Sequence, residues 1–254
     1  MRPLSNPYHA VAFFGVDPNF LGRYAPQVIL ALSDAAGIEI DQVYYQPIET
    51  ALVTKRFRQS DKARAYLSDL DVYLDYIGAD ERHRDKNEYP IAGMSILNRS
   101  ADLDVYFPSD ALGEEGTLST AHALFAEACK LKAQYGFLVN GPDMYFVSSY
   151  AKQITCETMT EDESSNVELL GHQRPDLDSL LFRKPHDVYE LNLLTNLHLD
   201  RRVGRGTLGT WIASKGAGVL ERIDHDRWLW SVASPDLARI KRELIAYDAL
   251  IVTH

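Results

Sequence analysis

At 254 residues the chain is long for one average domain and short for two, so a single domain, or two intimately packed halves of about 1–150 and 151–254, is expected. With 46% hydrophobic and 24% charged residues, composition argues against the disordered and fibrous classes. Its 26 Lys and Arg against 36 Asp and Glu, a net charge of −10, argue against a surface that holds nucleic acid or anionic lipid by electrostatics and favour a basic partner.

Cys129 and Cys156 are too few for a disulfide framework or a thiolate zinc site. The opening Met1 to Pro7 carries two prolines and no apolar core of a secretory signal, and no run approaches the roughly 18 apolar residues of a membrane span. The expectation is a cytoplasmic protein.

His9 to Val16 is short, apolar and rich in branched and aromatic residues, as in a buried strand, and Asp17-Pro18-Asn19 closes it. Tyr24, Val28, Ile29 and Leu32 recur at helical spacing over about residues 22–36, with Gly37 as a stop. Extended chain follows around Val43-Tyr44-Tyr45. Ser60-Asp61 caps a helix whose apolar face runs through Ala63, Tyr66, Leu67, Leu70, Leu74 and Ile77 to Gly78. Asp80 to Pro90 is polar and aperiodic, as in a loop. Ile91 to Leu97 and Leu103 to Phe107 read as strands about an Asn98-Arg99-Ser100 turn.

A third helix starts at Thr117 or Ser119 and ends by Gly136. Phe137 to Val139 and Tyr145 to Ser149 then read as a hairpin about Asn140-Gly141-Pro142-Asp143. Val188 to Leu199 fits a strand or a helix equally well. Thr207 caps a short helix carrying Leu208, Trp211 and Ile212, with Gly216 and Gly218 as stops. Val219 to Ile223 and Trp228 to Val232 form a hairpin, and Ser234-Pro235-Asp236 opens a closing helix. Irregular alternation of helices and hairpins predicts an α+β fold, a mainly antiparallel sheet packed against four to five helices.

The candidate chemistry is sparse. Asp102 and Asp104 project from one strand face, the arrangement that holds a hard cation in metal-dependent phosphoryl chemistry, although a half-solvated strand gives the same pattern. Asp176 and Asp178 fit the first turn of a helix, where acids favour the dipole. Asp224-His225-Asp226 reads as turn chemistry, and Gly204-Arg205-Gly206-Thr207 lacks the lysine and length of a phosphate loop. No cofactor or metal is called for. Between residues 156 and 170 lie Glu157, Glu161, Asp162, Glu163 and Glu168 and no base, so this segment supplies half the net charge. It reads either as a solvated loop or as a surface that steers a basic partner, with Met144, Tyr145 and Tyr150 as nearby apolar anchors.

Val188-Tyr189-Glu190-Leu191-Asn192-Leu193-Leu194-Thr195, then Leu208 to Ala213, Gly218-Val219-Leu220 and Trp228-Leu229-Trp230 resemble a pattern of bacterial immunity proteins. There an apolar N-[WL]-L-T segment precedes a short helix and a glycine-led hairpin. The resemblance is to the immunity protein 52 family and related type VI secretion immunity proteins, and it covers about residues 188–232. It implies an α+β, non-enzymatic inhibitor that occludes a cognate toxin, a nuclease of the restriction-endonuclease type. It supplies no toxin-contacting residues. The expected partner is a protein with a basic surface, the acids standing in for phosphates. A metal-dependent hydrolase or phosphotransferase using Asp102 and Asp104, and a secretion-system adaptor, are the alternatives.

Overall fold

The structure, a computed structural model, describes residues 7–82, 90–97, 102–109, 113–151, 155–157, 159–161, 163–165, 167 and 183–252. Its twelve strands are β1 (Tyr8–Phe14), β2 (Gln42–Pro47), β3 (Val53–Arg56), β4 (Leu74–Arg82), β5 (Pro90–Leu97), β6 (Asp102–Pro108), β7 (Tyr135–Gly141), β8 (Leu191–Thr195), β9 (Arg202–Val203), β10 (Gly206–Thr207), β11 (Val219–Arg222) and β12 (Arg227–Ser231). The helices are α1 (Pro18–Ala36), α2 (Ser60–Ser68), α3 (Gly113–Lys130), α4 (Met144–Ala151), α5 (Asn196–Leu199), α6 (Leu208–Lys215) and α7 (Leu237–Ala246).

Ten strands form one sheet in the order β11-β12-β8-β7-β1-β6-β5-β4-β2-β3. Every neighbouring pair in it is antiparallel. The fold is therefore α+β with a mainly antiparallel sheet, as composition and hairpins predict. Among the described residues no helix is long and apolar enough to cross a membrane.

Strand side chains alternate between faces, and here both faces are covered. Val11, Phe13, Val105 and Leu138 face α1, α2 and α3 in one core, with Leu21, Ile29, Leu67 and Phe125. Ala10, Ala12, Phe14, Phe137 and Trp230 face α4, α6 and α7 in a second core, with Val147, Trp211 and Ile240. Helices α1 to α3 thus cover one face of the sheet, and α4, α6 and α7 the other.

Local signals set the helix ends, including that of α1, whose cap and first turn take the place of the turn expected at Asp17-Pro18-Asn19. Asp17 caps α1 by accepting from the Asn19 amide, Pro18 sits at the first position, and Gly37 ends the helix at φ 67°. Thr207 and Thr210 form a reciprocal capping box on α6, and Gly216 terminates it in the left-handed region. Val188 to Leu199 combines both of its readings, since β8 runs directly into α5.

Four further expectations are corrected. The helix expected to reach Ile77 stops at Ser68, and Leu74–Arg82 is a strand. Gly78 is no helix stop: a Cβ there would lie 2.2 Å from the Tyr44 ring, which crosses over it from β2. The third helix begins at Gly113 and ends at Lys130, where Lys132 takes φ 60° and its amide returns to the Cys129 carbonyl. Gly136 instead lies in β7, where a Cβ would come 2.8 Å from the Ala12 carbonyl. Tyr145–Ser149 is helix rather than strand, because Asp143 caps α4 through the Phe146 amide at 2.8 Å and Met144, Val147 and Ala151 point into the core. Finally, Asp80–Arg82 continues β4 rather than opening a loop; the Asn98 to Ser100 turn and Asp176 and Asp178 lie outside the described residues.

Candidate functional site

The acidic segment is partly helical. Residues 161, 163–165 and 167 are helical, and Thr160 opens the turn: its amide donates to Glu163 Oε2 at 2.7 Å and its hydroxyl accepts from the Glu163 amide at 3.3 Å. This T-x-x-E capping box was legible in the sequence but hidden by the charge run. Glu157 and Glu161 are exposed, Glu163 is half-buried, and Asp162 and Glu168 lie outside the described residues. Met144 and Tyr150 are buried in the second core, which leaves Tyr145 as the exposed member of the three anchors.

Glu163 and Tyr150 meet in a hollow of about 340 Å³ that is also lined by Phe146, Asp187, Glu190 and Lys241. Lys241 Nζ donates to Asp187 Oδ2 at 2.7 Å. Burial raises the Asp187 pKa, and Lys241 opposes that rise. Burial, with Asp187 and Glu163 nearby, drives the Tyr150 hydroxyl well above its ordinary range. Behind the hollow, Tyr189 stacks on Phe137 at 4.3 Å, and His186 Nδ1 lies 2.6 Å from the Tyr189 hydroxyl. Complete burial, with Lys241 nearby, pushes His186 down to about 3.

A second hollow, of about 1010 Å³, opens beside the same end of the sheet. His9, Asn140, Leu191 and Ser231 come from the sheet; Leu118 and His122 come from α3. Asn140 and Glu190 line both hollows.

Between them runs a polar ridge assembled from four separate parts of the chain. His9 and Asn140 are register partners across β1 and β7. Asn140 Nδ2 donates to Glu190 Oε2 at 2.8 Å, and the Ser234 hydroxyl donates to Glu190 Oε1. A carboxylate only accepts, so Asn140 turns its nitrogen to Glu190 and its carbonyl to His9, which makes His9 Nδ1 the donor. Burial lowers the His9 pKa, while Asn140 and Glu190 pull it back up. Sequence reasoning missed this ridge because its members are up to 225 positions apart and share no local spacing; only the strand register unites them.

The Asp102 and Asp104 pair does lie on one strand, facing β5. Asp104 is buried and accepts from the Ser95 hydroxyl. One strand further, Asp80 Oδ1 accepts from Tyr106 at 2.8 Å and from Tyr44 at 3.1 Å. Among the described residues, no group of three or more His, Cys, Asp or Glu is placed to hold a metal ion. Asp224 closes the β11–β12 turn, accepting from the Asp226 and Arg227 amides and pairing with Arg227 at 3.0 Å. Gly204, at φ 60°, turns β9 into β10.

No protein-family model matches the chain, and no curated protein matches its sequence. Among solved structures it is similar to the Pseudomonas aeruginosa T6SS protein PA0821, with a TM-score of 0.52 and 10% sequence identity over 95% of this chain and 76% of that one. At that identity the likeness is one of fold, and it extends across both halves of the sheet.

Proposed function

We propose that this chain is a bacterial immunity protein, a stoichiometric inhibitor that binds and neutralises a cognate toxin of a type VI secretion system. The observation that carries the reading is the fold shared with a T6SS protein over 95% of the chain. It agrees with the resemblance of residues 188–232 to immunity proteins and with a net charge of −10, which suits a partner whose own surface is basic. A nuclease is the favoured toxin, since a protein that holds DNA presents cations that acids can cover.

The test is capture of the tagged protein from its native bacterium, followed by growth and activity assays of the captured toxin with and without it. Expected is a basic toxin held one to one and silenced. A bound partner that stays fully active would replace the immunity reading with that of a secretion adaptor.

A further inference from the structure

The carboxylates around the two hollows are not equivalent. Asp187 is matched by Lys241 at 2.7 Å, and Asp236 by Arg239 at 2.9 Å. Glu163 is engaged as the cap of its own helical turn. Glu190, half-buried, is the one of them that lines both hollows, and among the described residues it makes no ion pair.

Its oxygens are also held in place. Asn140 fixes one and Ser234 the other, and His9 fixes Asn140 in turn. A carboxylate offers about four acceptor positions, so two remain for an incoming donor. A preoriented acceptor loses little side-chain entropy on binding. Around it, the described lining of the larger hollow contains Glu190, Asp236, His9 and His122 and neither lysine nor arginine. Leu118 from α3 and Val219 from β11 are exposed in that lining, Val219 at 67%. An apolar trough with one uncompensated, rigidly held anion fits a protein segment that presents a basic residue flanked by apolar ones.

We infer that Glu190 is the anchor for an arginine or lysine side chain of the protein partner, whose apolar flank lies in the larger hollow against Leu118 and Val219. This rests on the proposed function for the partner's identity, and on the sheet-end geometry for the contact. A purely structural role would let the ridge close the sheet end without contributing to binding, so stability and affinity must be read separately.

Glu190→Gln retains the shape and the acceptor for Asn140, turns Ser234 from donor to acceptor, and removes the charge together with one acceptor oxygen. Glu49→Gln, an exposed acid at the β2–β3 turn, makes the same charge change at a distance. Binding of the captured toxin is measured by calorimetry for the wild type and both variants, with thermal unfolding of each. The expected result is a Kd raised about 30-fold or more for Glu190→Gln, unchanged for Glu49→Gln, with the unfolding midpoints of all three alike. A Kd for Glu190→Gln within about threefold of wild type overturns the anchor. Wild type that binds the toxin without silencing it overturns the immunity reading, and the ratio of the two Kd values still decides Glu190; wild type that binds no toxin overturns both.

Discussion

Asp80 is only 3% exposed, and two tyrosines from different strands donate to one of its oxygens. They reach it by lying across glycines: Tyr44 over Gly78 and Tyr106 over Gly93. A Cβ on Gly93 would stand 2.5 Å from both Asp80 Oδ1 and the Tyr106 hydroxyl. Gly93→Ala is therefore expected to cost about 1–3 kcal/mol in urea unfolding. Tyr106→Phe removes a donor to a buried acid and should cost about 1–3 kcal/mol. His186 makes a different prediction. Its folded pKa is depressed to about 3, so between that value and the ordinary 6.5 the unfolded chain binds a proton that the folded chain refuses. Stability therefore rises with pH across this window and is lost as pH falls, at about 1.4 kcal/mol per unit from this group. His186→Phe should flatten the stability profile between pH 6 and pH 4 relative to wild type by about that slope, measured by urea titration.

At the level of elements, sequence signals served best where a cap and an apolar stripe agreed. Thr207 with Gly216 bounds a helix whose interior shows the matching period, and Gly37 ends another whose start, Asp17-Pro18, reads in the sequence as a turn closing the strand. Thr207→Ala should accordingly cost about 1 kcal/mol of stability, read by thermal unfolding. The failures came from glycines taken as stops. Gly78 and Gly136 sit in strands because a neighbouring chain or ring passes too close for a side chain, and that neighbour is far away in sequence. The same limit explains Met144–Ala151: in isolation MYFVSSYA has strand-like composition, and burial of every third or fourth residue against the second core decides for a helix. Of the candidate site, the acidic segment was legible as composition, while the His9–Asn140–Glu190–Ser234 ridge depends on a register that no local window contains.

Over the whole molecule, the proposed association with a basic toxin should be steered by charge. Its on-rate should fall about tenfold or more between low salt and 0.5 M salt, measured by stopped flow, as long-range attraction is screened. Reversing the exposed Glu157 and Glu161 to lysine should slow association further; an unchanged on-rate would remove that segment from the encounter surface. Glu163 is a poorer choice for reversal, since its change would also open the capped turn.

The strand at the middle of the sheet has a consequence for how the chain finds its native state. β1 gives Val11 and Phe13 to one core and Ala10, Ala12 and Phe14 to the other. A slip of one residue would exchange the two sets, forcing bulky side chains where alanines fit and leaving voids where they had been. Both cores would reject the same mistake at once. β1 thus acts as a parity check between the two cores, and its amides should be among the last to exchange with solvent, opening only when both cores are lost together.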